Sequence, residues 1–574
     1  MSKQTKHGEK QQPTSPQASS IDTTFQQAQA LHRSGQAQQA ATLYQQVLST
    51  QPDHFDTLTM YAMLMCQHGK NEVALQLMSR ALEVNPAAPA TWLNRGNVLT
   101  AMGRFEEALA DYNHALELSP DYPTAHYNQG CTLQQLNRDE EALASYDRAL
   151  ELKRDYADAW NNRANTLMRL GRPEEALPSF ERALHYKPDF AMAHYNRGNV
   201  LRDLERFEDA LASYDRALMF MPNYAEAHYN RGNLLRELGR YEEALASLAR
   251  AQAISPDHAS AHYNEAFCRL LLGDYALGWQ KYEWRWKSVL KKENRPFPQP
   301  LWLGHEGIAG KTILLHAEQG FGDTIQFCRY AAHVTALGAK VLLEVPSQLV
   351  SLISTLEGPA KVLTQGEPLP EFDYHTPLMS LPLACTPTLG TTIPAQTPYL
   401  SPPPEKLTVW RDKVGADEGV RVGLVWSGST GHKNDRNRSI LLAELSPILE
   451  LPQITFVSLQ KEVRDHDRAV LSQFAQLQHY GVHLQDFADT AALIATLDLV
   501  ITVDTAVAHL AGALGKPVWI LLSQVTDWRW LLKGAESPWY PTARLYRQLA
   551  AGDWKSVAQK IAEDLGHFGC DQNN

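Results

Sequence analysis

An asparagine recurs every 34 residues through the N-terminal half of this chain. The six positions lie in segments such as AHYNRGN and AHYNEAF, and we call them the asparagine ladder: Asn94, Asn128, Asn162, Asn196, Asn230 and Asn264. Alanine, proline and glycine recur with nearly the same regularity, beginning at Ala40, Pro52 and Gly35. A fixed period of this length indicates a repeated supersecondary unit that stacks on its neighbours, so this part of the chain must fold as a linear array.

The residue types that recur predict two helices in each unit. Small alanines let the helices approach closely, glycine turns the chain between them, and proline ends the second helix. Asn137 and Glu205 replace the turn glycine in two units. The pattern resembles the tetratricopeptide repeat and predicts seven full units and a degenerate eighth over residues 21–290. Trp279, Trp284 and Trp286 crowd the eighth unit, which predicts that it docks onto the domain that follows.

The ladder predicts a binding surface. In four units a second asparagine follows the ladder position by three residues, so the two share a helix face: Asn97, Asn165, Asn199 and Asn233. In the tetratricopeptide family this face lines the concave groove. Side-chain amides donate and accept hydrogen bonds, which suits the backbone of an extended acceptor polypeptide. The alternative is that the asparagines only bridge neighbouring repeats. A similar ladder is a feature of the O-GlcNAc transferases, in which the repeats carry the protein substrate.

Composition excludes several classes of protein. A net charge of −11 argues against nucleic acid as the main partner, and no run of 18 apolar residues is present to span a membrane. The polar residues 1–20 lack an apolar core of a signal peptide and predict a disordered tail. Six cysteines without CxxC spacing indicate reduced thiols and no zinc site. Together these features predict a cytoplasmic protein.

The C-terminal half changes to alternating strands and helices. A basic linker over 291–304 precedes apolar strand patterns such as KTILLHAE and AKVLLEV. After a proline-rich stretch the segments VRVGLVWSG, ITFVSLQ, LDLVITVDT and KPVWILL continue the alternation. This predicts two α/β domains with parallel sheets, over 305–405 and 406–574, with a ligand-binding cleft between them.

The first loop whose residues suit ligand binding or catalysis follows the first of these strands. Its sequence, QGFGDTIQF, contains Gln319, Gly320, Gly322, Asp323 and Gln326. Glycines at the carboxyl end of a strand let the backbone approach a ligand. The third glycine of GxGxxG is absent, which disfavours a nicotinamide dinucleotide site. The alternative for Asp323 is a helix cap.

A second loop joins a strand to a basic segment. Ser427 and Gly428 begin it, and Lys433 and Arg438 lie in its basic part. Cations of this kind clamp a diphosphate well. The alternative is a solvated basic loop.

A third loop delivers Asp504 and Thr505 to the start of a helix with Ala506 and His509 in its first turn. Free N–H groups and the helix dipole favour phosphate there. The alternative for His509 is a buried core histidine.

The segments QGFGDTIQF and DTAVAHLAGALGKP resemble the signature loops of the heptosyltransferase-like glycosyltransferases, which have the GT-B fold of two Rossmann-like domains. The resemblance covers most of residues 305–545. It implies that Asp323 is the general base, and that Asp504, Thr505 and His509 line the donor site. It also implies an inverting transfer.

The same resemblance leaves the diphosphate ligand open between Lys433 and Arg438. The family commonly has glycine where this chain has Ala506. No DxD-like metal motif adjoins either phosphate loop, which predicts a metal-independent enzyme with a nucleotide-sugar substrate and no other cofactor.

The leading hypothesis is a tetratricopeptide superhelix fused to a GT-B fold that acts as a protein O-glycosyltransferase. The architecture resembles O-GlcNAc transferase and the bacterial tetratricopeptide-linked glycosyltransferases, some of which modify flagellins or surface adhesins. The repeats would hold the acceptor protein and also offer a surface for homo-oligomerisation. Two alternatives stay open: a scaffold with an inactive transferase domain, and an enzyme that acts on a lipid-linked or free glycan.

Overall fold

The computed structural model of this protein describes residues 16–571 except 294, 416–418, 432–433, 453 and 475. The chain divides into two compact units, one ending at Asn230 and the other beginning at Arg231. The first helix begins at Pro16, inside the segment predicted to be a tail, and residues 1–15 lie outside the described part of the chain.

The first unit consists of paired helices. They are α1 Pro16–Arg33, α2 Ala37–Thr50, α3 Phe55–Gln67, α4 Asn71–Val84, α5 Pro89–Ala101, α6 Phe105–Leu118, α7 Pro123–Gln135, α8 Asp139–Leu152, α9 Ala157–Arg169, α10 Pro173–Tyr186, α11 Ala191–Asp203 and α12 Phe207–Phe220. The turn position predicted for glycine has a left-handed backbone, and Asn137 and Glu205 adopt it with φ of 57° and 58°. The repeat therefore imposes this turn even where the residue has a side chain.

Several of these pairs are locked by a tyrosine from the second helix. The ring of Tyr112 packs so closely on Gly96 that a Cβ on Gly96 would lie 2.6 Å from it. The Tyr112 hydroxyl then donates to Asn97 Oδ1 at 2.9 Å. Glycine two residues after the ladder asparagine is thus required by packing, and the same arrangement recurs at Gly198 and Tyr214.

Helix α13 (Ala225–Glu237) crosses from the first unit into the second. It is followed by α14 Tyr241–Ile254, α15 Ala259–Leu271, the short α16 Tyr275–Tyr282 and a 3-10 helix over Glu283–Lys287. The eighth repeat, which the sequence predicts to be degenerate, has a shortened second helix. Its Trp279 ring lies 5.2 Å from the Trp528 ring and 5.9 Å from the Phe327 ring, centroid to centroid. The predicted docking of this tryptophan-rich face onto the α/β region is confirmed.

The rest of the second unit contains two parallel sheets. Their strands are β1 Thr312–His316, β2 Lys340–Val345, β3 Lys361–Thr364, β4 Tyr374–Pro377, β5 Val420–Val425, β6 Ile454–Ser458, β7 Leu477–His479, β8 Leu499–Val503, β9 Val518–Leu522 and β10 Ala543–Arg547. The connecting helices are α17 Phe321–Phe327, α18 Tyr330–Ala336, α19 Ser347–Ile353, α20 Leu381–Ala384, α21 Thr386–Leu389, α22 Pro404–Val414, α23 Asp435–Arg438, α24 Ser446–Leu449, α25 Asp465–Leu471, α26 Phe487–Ala495, α27 Ala506–Ala513 and α28 Trp554–Asp571. Further 3-10 helices cover Leu378–Ser380, Leu442–Leu445, Gly481–His483 and Trp528–Trp530.

The order of the strands predicts where the ligand-binding crevice lies. The first sheet runs β3-β2-β1-β4 and the second runs β10-β9-β8-β5-β6-β7, the order of a doubly wound nucleotide-binding fold. Successive strands are added on one side of β1 and then, with β4, on its other side; in the second sheet the same switch occurs between β5 and β8. Loops at the carboxyl ends of these strands form the binding crevice of such folds. Two such sheets are consistent with the predicted GT-B fold.

Strands β1, β2, β5, β6, β8 and β9 fall inside the apolar segments that the sequence predicts. Strands β3, β4, β7 and β10 were not predicted, because they are short or mix polar with apolar residues. The core of the second sheet includes Trp426, Trp519 and Trp554. No helix among the described residues combines the length and apolar character that crossing a membrane requires.

Candidate active site

A single large cavity collects the three predicted loops. It has a volume of about 1710 Å³, and its walls come from both sheets and from the last repeats. The loop after β1 contributes Asp323, the loop after β5 contributes Ser427 and Arg438, and the loop after β8 contributes Thr505. The structure thus brings residues that are far apart in sequence to the two switch points of the sheets.

Asp323 lies in the first turn of α17. Its Oδ2 accepts a hydrogen bond from the Gly320 backbone N–H at 2.9 Å, so the residue does cap its helix. Its Oδ1 accepts a very short hydrogen bond from Arg529, which follows β9 in the second α/β domain. The carboxylate is still 20% exposed and faces the cavity. Capping therefore does not prevent contact with a ligand.

The other residues of this loop are held by their neighbours. Gln319 donates its side-chain amide to the Tyr282 hydroxyl at 3.1 Å. Gln326 is buried, and its Oε1 accepts from Arg529 Nε at 2.8 Å. Gln319 and Gly320 line the cavity with Asp323, whereas Gln326 supports the loop from below.

His509 of the second α/β domain packs against Gly322 of the first. A Cβ on Gly322 would lie 2.9 Å from His509 Cδ2 and 3.4 Å from Ala506 Cα. The imidazole stacks on Trp530, and its Nδ1 is hydrogen-bonded to the Tyr540 hydroxyl at 3.0 Å. Burial, aided by the nearby Arg529, holds the pKa of His509 well below its usual value. The ring is therefore a neutral wall of the cavity.

Arg438 bridges the second and third loops. Its Nη1 donates to the Asp504 carbonyl oxygen at 2.9 Å, and its guanidinium occupies the space that a Cβ on Gly428 would need. Arg464 donates to the Gly428 carbonyl oxygen at 3.1 Å and pairs with Asp435. Lys433, the other candidate for the diphosphate, lies outside the described residues.

The third loop combines a helix start with an unusual acid. Thr505 caps α27 by accepting from the Val507 N–H at 3.3 Å. Burial and the neighbouring Asp527 carboxylate raise the pKa of Asp504 from 3.8 to about 6. This side chain, next to the N-terminus of α27, therefore releases its proton at a higher pH than an ordinary aspartate.

The ladder asparagines occupy both units. Asn264 lines the cavity that contains Asp323. Five of the six donate their side-chain amide to the preceding repeat: Asn128 to Asn97 (2.7 Å), Asn162 to Tyr127 (3.2 Å), Asn196 to Asn161 (3.4 Å), Asn230 to Asn199 (2.9 Å) and Asn264 to Asn233 (3.1 Å). The bridging that the sequence left as an alternative is present, and peptide binding by the ladder stays a prediction.

Sequence reasoning missed three arginines at the site: Arg285, Arg464 and Arg529. Arg285 leaves the last repeat and pairs with Glu318, the residue before Gln319, with Nε–Oε2 and Nη2–Oε1 distances of 2.9 and 3.0 Å. Arg285 and Arg529 sit in Trp-Arg-Trp segments, and Arg464 lies in a loop that follows a predicted strand. The sequence shows these segments, but it does not show which acidic residues the arginines contact.

No group of three or more His, Cys, Asp or Glu side chains in the described ranges is arranged to hold a metal ion.

Comparison with protein families gives matches in both halves of the chain. Tetratricopeptide models match residues 31–95, 88–155, 161–228 and 225–258. The model of glycosyltransferase family 9 (heptosyltransferase) matches residues 452–530. The chain thus combines tetratricopeptide repeats in its N-terminal region with a C-terminal segment that matches the family 9 glycosyltransferase model. The family 9 match includes Asp504, Thr505 and His509 and also Arg529.

The chain is similar to Protein FlbA of Caulobacter vibrioides, with 28% identity over 327 residues. The match covers 52% of this chain and 54% of FlbA, so it spans about half the length of that relative.

Among solved structures, the chain is similar to YrrB, described as a tetratricopeptide protein with an unusual peptide-binding site. The identity is 29%, with 32% of this chain and 95% of that chain covered and a TM-score of 0.29. A tetratricopeptide protein from Parabacteroides merdae is 19% identical, with 43% and 98% covered and a TM-score of 0.35.

Proposed function

We propose that this chain is a glycosyltransferase that moves a sugar from a nucleotide sugar to a Ser or Thr hydroxyl of a protein acceptor. One observation carries the proposal: Asn264 of the ladder, the carboxylate of Asp323 and the phosphate-type loop at Arg438 line the same cavity. An acceptor-type surface, a base and a cationic donor-type loop thus meet in one space.

The donor side has groups that suit a diphosphate. The Arg438 guanidinium, which Asp504 holds through Nη1, and the first turn of α27 after Thr505 supply positive charge and N–H groups. The buried Ser427 Oγ and Arg438 Nε have no hydrogen-bond partner among the described residues. Buried polar atoms are almost always paired, so an oxygen-rich ligand at this point would satisfy both.

The acceptor side supplies the base. The acceptor hydroxyl oxygen bonds to the anomeric carbon, the bond from that carbon to the diphosphate oxygen breaks, and the hydroxyl proton passes to Asp323. The leaving nucleoside diphosphate keeps the electron pair and is stabilised by Arg438 and the start of α27. The proposed chemistry uses no metal ion.

The repeats would deliver the acceptor. Tyr263 and Asn264 of α15 stand in the cavity wall, so a polypeptide bound along the last repeats would reach Asp323. The proposal includes surface proteins such as flagellin as acceptors. The acceptor can be identified by mass spectrometry, as a host protein that carries the sugar only when this gene is present.

The base is tested with Asp323→Asn. Asparagine has the same shape and can still cap α17 through its side-chain oxygen, but it cannot take the proton. With a panel of UDP-, GDP-, ADP- and dTDP-sugars, we expect this variant to lose about 10²- to 10⁴-fold in turnover. Thermal shifts with the matching nucleoside diphosphate should equal those of the wild type. Full turnover in the variant would remove Asp323 as the base.

The acceptor surface is tested separately with Asn264→Ala. We expect a higher KM for the protein acceptor and unchanged hydrolysis of the donor sugar. Asn94→Ala is the matched control, because Asn94 belongs to the same ladder but not to the cavity wall. If both variants transfer to the protein acceptor with wild-type KM, the ladder is confined to bridging repeats.

A further inference from the structure

Two segments of this chain share the pattern acid-Trp-Arg-Trp. One is Glu283–Trp286 at the end of the repeats, and the other is Asp527–Trp530 after β9. Both fold as 3-10 helices, over Glu283–Lys287 and Trp528–Trp530. Their separation in sequence is large, yet both lie in the second unit.

In both segments the arginine is held by an acid and a tryptophan of the same segment. Arg285 Nη1 donates to Glu283 Oε1 at 2.7 Å, and Arg529 Nη1 donates to Asp527 Oδ1 at 2.8 Å. Each guanidinium also lies over a tryptophan ring of its own segment, at 4.6 Å from Trp286 and 4.2 Å from Trp528. The internal acid and the ring fix the arginine, so its remaining N–H groups point in one direction.

Both arginines use those N–H groups on the same loop. Arg285 binds Glu318 and Arg529 binds Asp323, the acids at the two ends of Glu318-Gln319-Gly320-Phe321-Gly322-Asp323. Arg529 Nε also holds Gln326 at 2.8 Å. Ion pairs therefore hold the loop at both ends, one from the last repeat and one from the second α/β domain.

The two ion pairs differ in their exposure to solvent. The Arg285 and Glu318 side chains are 0% and 4% exposed, and Glu318 is absent from the cavity wall. Arg529 and Asp323 both line the cavity, and Asp323 is 20% exposed. The first pair can only set the position of the loop, whereas the second acts on a carboxylate that a ligand can reach.

We propose that Arg529 is a positioning residue for the base Asp323, and that Arg285 holds the opposite end of the same loop. This inference rests on the proposed function. With the Gly320 N–H on Oδ2 and Arg529 on Oδ1, the carboxylate has one orientation, and a remaining lone pair receives the acceptor proton. Because Arg529 belongs to the second α/β domain, the orientation of the base depends on the contact between the two α/β domains.

Burial would lower the pKa of Arg529, but the Asp527 and Asp323 carboxylates outweigh it and raise the value above the usual one. The guanidinium thus stays charged throughout the working pH range, and it cannot itself serve as the base.

The test uses the full-length chain and a double-mutant cycle of Arg529→Gln with Asp323→Asn. The readout is donor turnover with the same panel of nucleotide sugars, with transfer to water as the measured reaction. We expect Arg529→Gln to lower kcat about 10²-fold and to leave the KM for the donor unchanged. Arg529→Lys, which keeps the charge but loses the fork, should recover part of kcat.

In the Asp323→Asn background, the same substitution should change kcat less than about threefold, because residues that act through one another do not add. Arg544→Gln is the matched control: Arg544 also pairs with an acid and stacks on an aromatic ring, but it lies outside the cavity wall. Its kcat should equal that of the wild type.

The outcomes separate the two proposals. An active wild type with an equally active Arg529→Gln, or with losses that multiply independently in the double variant, overturns the positioning role alone. A wild-type chain that turns over no donor in the panel removes the proposed function and, with it, this inference. Thermal unfolding of each variant with and without nucleoside diphosphate shows whether a loss comes from misfolding.

Discussion

Arg285→Met gives the sharpest stability test of how the repeats join the α/β region. The Arg285 side chain is fully buried and donates to Glu318, to Glu283 and, at 2.7 Å, to Ser380. Methionine has a similar length but no charge. In the variant, the Glu318 carboxylate keeps the hydrogen bond from the Met379 N–H at 3.0 Å but loses its cation.

The expected cost follows from leaving a carboxylate buried without its cation. Breaking a buried pair from one side costs about 3–5 kcal/mol. Burial already raises the pKa of Glu318 although Arg285 opposes that shift. Without the arginine, the destabilisation should be largest at high pH, where Glu318 is ionised, and should shrink as pH falls and the carboxyl takes up a proton.

The assay is urea unfolding of the full-length chain, followed by tryptophan fluorescence because the Arg285 guanidinium lies over the Trp286 ring. Glu318→Leu and the double variant Arg285→Met/Glu318→Leu complete the cycle. We expect the double variant to be more stable than Arg285→Met alone, since no unpaired charge remains. Single-variant losses that simply add within about 0.5 kcal/mol would refute the coupling of these two residues.

Three further predictions concern the cavity. Asp504→Asn should stabilise the fold by up to about 3 kcal/mol above pH 7 and not below pH 4, because the folded pKa of about 6 exceeds the usual 3.8 and ionisation is costly; a pH-independent difference in urea unfolding contradicts this. Gly322→Ala should cost about 1–3 kcal/mol and lower donor turnover, since its Cβ would press on His509; a variant with wild-type Tm and kcat argues against close packing there. Arg438→Met should weaken nucleoside diphosphate binding by at least about tenfold, the effect of losing a charged hydrogen bond, measured by calorimetry; unchanged Kd would favour Lys433 as the diphosphate ligand.

Local sequence predicted more of the fold than of the site. The left-handed turn of each repeat, the strand patterns of both sheets and the glycine-rich loops at strand ends all follow from residues close together in the chain. Strands β4 and β10 escaped prediction because their residues are partly polar and gain stability from neighbours in the sheet rather than from their own pattern.

The sequence by itself therefore determined a repeat array, an α/β region and the three loops that carry polar side chains. Only the tertiary structure decided which of those side chains meet. Asp323 and Arg529 lie 206 residues apart, and Glu318 and Arg285 lie 33 apart. The asparagine ladder is one uniform series in the sequence. In the structure, Asn264 lines the cavity, whereas members such as Asn94 do not. The physical reason is that a side-chain pair depends on strand order and domain packing, and a periodic pattern along the chain contains neither.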